Sequence, residues 1–390
     1  MPSTEVIVIG AGPAGLSSAL ALKDAGVRAL VIDRADAVGA SWRSRYDRLR
    51  LNSPQRMSHL AGRPYPKGTP TFPSRDQVIA HLEEHAAGLD LRLGVTVTRI
   101  ERDDDGWLVH TDDGTLSAAY VVVATGYERS PMIPDWPGRD EYAGELVHSA
   151  HYRNPDPYAG RAVLVVGPGC SGMEIAYDLA VGGAAKVWLS ARTAPNIFMR
   201  TGPGGLPGDY IARALFRLPV GFADRVAAVG RKRALGDLSA YGLPMPEEGV
   251  FARLRRARQA PAIVDPEVID AIKDGSVEMV AGVEALAPRV AQLADGSVLA
   301  PDAIVSATGY RRALDDLVGD LDVLDDVGEP RVQGARAALP GLWFIGYRPR
   351  PGMLGYTARE ARKAAAAIAR QRRAGGGSRH AAAAATALSG

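Results

Sequence analysis

Two glycine turns with the spacing Gly-x-Gly-x-x-Gly carry the chemistry most directly readable in this chain: Gly10, Gly12 and Gly15, then Gly167, Gly169 and Gly172. Such a turn between a strand and a helix lets the backbone approach a pyrophosphate and aims the unpaired N–H groups of the helix start at it. Pro13 and Ala14 occupy that helix start in the first turn, and Cys170 and Ser171 in the second. A chain that cradles two dinucleotides is expected to pass electrons between them.

What each turn prefers depends on the residue ending the next strand. After the first, Val31-Ile32-Asp33 ends in an acid, with Arg34 behind it, about where a carboxylate accepts hydrogen bonds from an adenosine ribose. After the second, the strand from Val187 ends at Arg192. A carboxylate there would repel a 2′-phosphate, whereas a guanidinium pairs with it through two hydrogen bonds, so this half is expected to prefer NADPH over NADH. The alternative for Arg192 is an ordinary surface arginine.

The flanking elements agree. Apolar runs Val6 to Ile9 and Val163 to Val166 read as the preceding strands, and Ala14 to Ala25 and Met173 to Ala180 as the following helices. Segments 120–127, YVVVATGY, and 303–310, AIVSATGY, repeat each other, each after an Asp-Gly turn signal. They place Thr125 and Gly126 beside the first site and Thr308, Gly309 and Tyr310 beside the second. The expected fold is α/β, with two Rossmann-like dinucleotide-binding domains for FAD and NADPH, the second inserted in the first. Residues 1–157 and 303–371 would form the FAD domain, 158–302 the NADPH domain, and 372–390 a disordered tail. Residues 205–262, rich in Gly, Pro and Arg with helical patches at 212–218 and 222–229, read as an insertion that is either a substrate lid or a surface elaboration.

Composition narrows the class. The chain has 390 residues, 23% charged and 46% hydrophobic, and a net charge of +2, which gives no electrostatic case for nucleic acid. The basic run Arg253 to Arg258 reads as a solvated helix face. No stretch approaches the ~18 apolar residues of a membrane span, and the first strand leaves no room for a signal sequence, so a cytoplasmic setting is expected. Cys170 is the only cysteine, which excludes the dithiol exchange of a disulfide reductase. His81-Leu-Glu-Glu84-His85 spells HxxEH, a zinc-protease pattern, but no further His or Cys cluster supplies a third ligand, and the stretch also fits an amphipathic helix; no metal is expected.

Between the two turns lies an aromatic-x-Gly-x3-His-x3-aromatic motif made by Tyr142, Gly144, His148 and Tyr152. With the flanking fingerprints, it resembles the identifying motif of the class B flavin-dependent monooxygenases, the group of the flavin-containing, Baeyer–Villiger and YUCCA-like enzymes. Gly39-Ala-Ser41-Trp42 is similar to that family's flavin-contacting Gly-x-x-Trp, and Leu51-Asn52-Ser53-Pro54 to its next loop. The segment 341–355, with Gly346 and Leu354, is similar to the YUCCA-like closing segment under the flavin ring. Tyr142 stands where the family usually has Phe, and Tyr152 where Baeyer–Villiger members carry Trp.

The resemblance implies that NADPH reduces the flavin, dioxygen is activated at the ring's C4a position, and a dry pocket protects that state. It assigns Asn52 as hydrogen-bond partner of NADP and flavin, the one side chain expected to be catalytic; a loop-capping role is the alternative. For His148 it implies packing and domain coupling rather than acid–base work, and for Trp42 and Tyr152 core packing is the simpler role. The leading expectation is an oxygenation of a small organic substrate at nitrogen or sulfur. Alternatives are YUCCA-like oxidative decarboxylation of a 2-oxo acid, Baeyer–Villiger oxygenation, or a non-oxygenating NADPH oxidase or redox-sensing flavoprotein. The partners expected are the small substrate and O2.

Overall fold

A computed structural model describes residues 3–104 and 106–387, with side chains to Ala374. Two β-sheets organise the chain, the first mixed, with Gly106–Thr111 antiparallel to both its neighbours, and the second parallel. The first runs in the order Asp90–Leu93, Ala29–Asp33, Ser3–Ile9, Gly114–Val123, Gly106–Thr111, Val97–Asp103, and Leu342–Phe344 also pairs with Gly114–Val123. The second runs Glu278–Ala281, Lys186–Ala191, Ala162–Val166, Ala303–Ser306, Glu145–His148. In both sheets the strand before the glycine turn is central and fully buried at Val8 and Val165. Near-continuous apolar strands of this kind belong to parallel sheets covered on both faces.

The two units are copies in detail. Ile9 aligns with Ile32 and Val123 on its neighbours, and Val166 with Ser190 and Ser306. The Gly10 N–H donates to the Ile32 carbonyl at 2.7 Å and the Gly167 N–H to the Ser190 carbonyl at 3.0 Å. The repeated Ala-Thr-Gly-Tyr segments therefore each leave the strand beside a fingerprint strand. Past them the chain crosses between sheets twice, and the crossings pair: Ser130–Pro131 lies antiparallel to Tyr310–Arg311.

This pairing explains a difference from the boundaries read in the sequence. Glu145–His148, ahead of residue 158, and Ala303–Ser306, beyond residue 302, both belong to the second sheet. The glycine turn marks the first strand of a unit in space, not its first strand in the chain.

Three helices, Gly208–Leu215, Val220–Leu235 and Val250–Ala257, make up most of the 205–262 segment and share a small apolar core around Leu215, Ala223 and Phe251. Arg255 and Arg256 of the basic run face solvent. The chain closes with the helix Met353–Ala387, which packs on Pro13–Asp24; the tail expected from 372 falls largely on positions outside the described side chains. Among the described residues no helix is long and apolar enough to cross a membrane.

Candidate active site

Both fingerprints use glycine where any side chain would collide. Gly10 and Gly167 turn the chain at φ 112° and 109°, and a Cβ on either would lie 2.5 Å from the Ala124 carbonyl oxygen or 2.6 Å from that of Ala307. Gly15 and Gly172 let each helix rest on its own turn, where a Cβ would come within 1.8 Å of a carbonyl oxygen. The middle glycines differ: a Cβ on Gly12 or Gly169 would meet nothing within 4 Å. Both helix starts thus face open space with no side-chain cap on their N–H groups, the arrangement that receives a pyrophosphate.

At the first site a cavity of about 70 Å³ is lined by Gly10, Asp33, Arg34, Thr125 and Arg129 among others. Asp33 has a structural task besides the ribose contact expected of it. Its two oxygens accept the Ala11 N–H at 2.5 Å and the Ala35 N–H at 2.9 Å, fixing the turn. The Gly39 N–H donates to the Ala11 carbonyl at 3.0 Å and Trp42 packs against the first core, while Ser41 is exposed. Tyr347 ties the closing segment to this site, its hydroxyl bonding the Thr125 N–H at 3.0 Å and Oγ1 at 2.8 Å.

The closing segment then crosses to the loop that carries Asn52. Gly346 lies against Ala14, and the Cβ positions of Gly352 and Gly355 are occupied by Met57. Leu354 joins the first core. In that loop Ser53 and Ser58 bond each other at 2.6 Å, and the Leu51 N–H donates to the Pro73 carbonyl at 2.8 Å. Asn52 is left out: its Oδ1 is buried without a hydrogen-bond partner. A buried amide oxygen costs stability unless something bonds it, so Asn52 does not cap its loop and is available to a bound group.

At the second site Arg192 is exposed at the end of its strand, its Cγ filling the space beside Gly282. Ser171 is half-buried at the helix start. The Cys170 thiol turns away from the turn, accepting the Ile263 N–H at 3.2 Å, and burial raises its pKa to about 11. It is a half-buried thiol held in its protonated form rather than a nucleophilic thiolate. Thr308 Oγ1 bonds Ser306 Oγ at 2.7 Å and donates to the Met132 carbonyl, holding the two crossings together.

The linker motif packs. The Tyr142 hydroxyl donates to the Pro301 carbonyl at 2.6 Å, and its ring fills the space a Cβ on Gly144 would need. His148 Nε2 donates to the Gly309 carbonyl at 3.0 Å while Nδ1 accepts the Ala150 N–H at 3.1 Å, which fixes a neutral tautomer. Burial lowers its pKa, and its ring stands edge-on to Tyr310 at 4.8 Å. Tyr152 is fully buried and donates to Asp178 at 2.8 Å.

The sequence reading missed a buried charge cluster that spans both halves. Glu174, inside the second fingerprint helix, accepts from the Tyr46 hydroxyl at 2.9 Å and pairs with Arg200, which is 3% exposed. Arg200 also faces Asp265 at 3.3 Å and the Leu51 carbonyl at 3.5 Å, one residue from Asn52. Burial lifts the Glu174 carboxyl above its ordinary value, and Arg200 opposes this. A Glu in the apolar run Met173 to Ala176 was the available signal.

The HxxEH residues do come together: donor atoms of His81, Glu84 and His85 lie within 4.8 Å of one another. The two imidazoles, however, stand at 90° to each other, and His81 is stacked on Tyr65 at 4.0 Å, with burial lowering its pKa to about 4. Both ring nitrogens of His81 are buried without a hydrogen-bond partner among the described residues.

Open cradles, an orphaned amide oxygen and a cation at the strand end fit FAD in the first berth and NADPH in the second. Comparisons with known proteins agree. Residues 7–200 match the family model described as pyridine nucleotide-disulphide oxidoreductase. An indole-3-pyruvate monooxygenase, YUCCA1 of Oryza sativa subsp. japonica, is 35% identical over 369 residues, 92% of this chain and 90% of the relative. The flavin-containing monooxygenase from Stenotrophomonas maltophilia is 27% identical with a TM-score of 0.71, covering 94% of this chain and 99% of that one. Cyclohexanone monooxygenase, at 19% identity and TM-score 0.73 over 96% of this chain and 89% of that one, shares the fold. This chain belongs to the class B flavin-dependent monooxygenases.

Proposed function

We propose that this monooxygenase oxidatively decarboxylates a 2-oxo acid, with an arylpyruvate such as indole-3-pyruvate as its substrate. The observation that carries this reading is the 35% identity to an indole-3-pyruvate monooxygenase across 92% of the chain. It displaces the nitrogen or sulfur oxygenation that the motifs alone favoured, because those motifs are common to the whole family and do not report the substrate. The balance is one 2-oxo acid, O2, NADPH and a proton giving the acid shorter by one carbon, CO2, water and NADP⁺.

Bound FAD, reduced by NADPH, supplies the activation of dioxygen. The protein supplies position and dryness. Gly12 and Gly169 admit the two pyrophosphates, Arg192 takes the 2′-phosphate, and Asn52 offers its unpartnered Oδ1 and its amide to the groups meeting between the halves. Cys170 and His148 hold no proton for the reaction, since the first is a half-buried thiol with its pKa raised to about 11 and the second is neutral with both nitrogens engaged.

The test is product analysis. Purified holoenzyme with NADPH in air should release CO2 from indole-3-pyruvate or phenylpyruvate and form the acid one carbon shorter, one equivalent per NADPH. N-oxides or sulfoxides from amines and sulfides, with no CO2 from any 2-oxo acid, would restore the earlier expectation. Hydrogen peroxide as the sole product with every substrate would point to an oxidase.

A further inference from the structure

Several buried or half-buried arginines of this protein are matched to acids. Arg200 pairs with Glu174, Arg312 and Arg258 share the buried Glu329, and Arg45 pairs with Glu128. Arg231 has carbonyls and a Met sulfur instead. Arg350 makes no ion pair and no hydrogen bond among the described residues. Its Nε is buried without a partner, and its guanidinium lies only against aromatic faces, 4.5 Å from the Tyr356 ring centre and 5.6 Å from that of Phe216.

The position of Arg350 makes this informative. It sits in the closing segment, two residues before Gly352, where the chain bridges the Asn52 loop at Met57 and the helical insertion. The insertion meets it on one side through Phe216, backed by the apolar group of Phe251 and Leu215. The nearby acid is occupied: Asp209 accepts the Gly352 N–H at 2.8 Å. Other cations lie on the same two rings, Arg359 5.9 Å from that of Tyr356 and Arg255 5.2 Å from that of Phe216, and Glu360 beside Arg359 is already paired with Lys363 and the Ala335 N–H. A planar fork of donors with no internal acceptor, stacked between aromatic rings in a cationic setting, matches a planar carboxylate attached to an aromatic group.

We propose that Arg350 is a specificity-determining residue that takes the carboxylate of the substrate, with the substrate's aromatic ring beside Phe216. The assignment rests on the 2-oxo acid reading above, and it adds the residue that distinguishes such an acid from a neutral ketone. A site built to bond a charged group discriminates far more strongly than one built on apolar contact, because the analogue lacking that group leaves the guanidinium unpaired.

The experiment is equilibrium binding to the oxidised holoenzyme with NADP⁺, by calorimetry, using phenylpyruvate and phenylacetone, the latter with a methyl in place of the carboxylate. Arg350→Gln should weaken phenylpyruvate by about 30-fold, in the range of a lost hydrogen bond to a charged group, and change phenylacetone less than about threefold. Arg350→Lys should recover part of the loss, showing that the fold survives. Equal weakening of both ligands, no weakening of either, or no phenylpyruvate binding to the unaltered enzyme would overturn the proposal. The two readings fail separately. CO2 release that Arg350→Gln leaves intact at low substrate removes the anchor and keeps the reaction. Arg350-dependent binding without CO2 release keeps the anchor and removes the reaction.

Discussion

Removing Glu174 should cost far more than removing Glu174 and Arg200 together. With Glu174→Leu, a guanidinium 3% exposed keeps only Asp265 at 3.3 Å and a carbonyl at 3.5 Å, and it cannot shed its proton. Leaving one buried partner uncompensated costs about 3–5 kcal/mol. At roughly 2–4 °C per kcal/mol for a domain of this size, the melting temperature should fall by some 6–20 °C. Arg200→Met leaves a carboxyl instead, which can take up a proton. From an ordinary pKa of about 4.3 that costs about 4 kcal/mol at pH 7.5 but under 2 at pH 5.5, so the defect should shrink on acidification while that of Glu174→Leu does not. The double variant exchanges the pair for apolar volume and loses mainly the bond from Tyr46, and should stay within about 2 kcal/mol of the parent. Calorimetric melting of the four proteins at both pH values tests the scheme. A double variant as unstable as the sum of the singles, or an Arg200→Met defect indifferent to pH, would show that the cluster is not a coupled buried pair.

The sequence made the two nucleotide units legible because their requirements are local. A turn that must pass its own helix at carbonyl contact admits only glycine at Gly15 and Gly172, and the flanking runs are apolar because both sheet faces are covered. The duplicated Ala-Thr-Gly-Tyr was readable for the same reason, since Ala124 and Ala307 both meet a fingerprint glycine. Positions whose roles depend on distant parts of the chain were not readable. Glu174 and Arg200 are 26 residues apart and meet Tyr46 and Leu51 only when the halves dock. Glu145–His148 has the length of any short strand, and nothing in it announces that it pairs with Ala303–Ser306. Asn52 was picked out by likeness; that its oxygen is buried and unbonded is a tertiary fact. Arg350, between two prolines, gives no sequence signal of its stacking.

Arg192→Gln should raise the KM for NADPH at least tenfold and leave that for NADH nearly unchanged, as measured by steady-state kinetics; equal changes would mean that the guanidinium does not meet a 2′-phosphate. Asn52→Ala should retain FAD yet release more hydrogen peroxide per NADPH consumed; unchanged coupling with substrate would remove its assigned role. Asp209 predicts a pH dependence. Burial raises its pKa from 3.8 to about 6, against the opposing bond from the Gly352 N–H. Between these values the folded protein holds a proton that the unfolded chain releases, so the stability associated with this carboxyl is complete below the lower value. It is lost as pH rises through the upper one, by about 3 kcal/mol in all. Asp209→Asn keeps an acceptor for the Gly352 N–H and carries no charge at any pH. It should therefore match the parent at pH 4 and be the more stable of the two at pH 7.5, with denaturant midpoints diverging across that window. Midpoints that run parallel from pH 4 to 7.5 would mean that the carboxyl beside the closing helix titrates in the folded protein as in the unfolded chain, with the Gly352 N–H bonded to an ionised carboxylate.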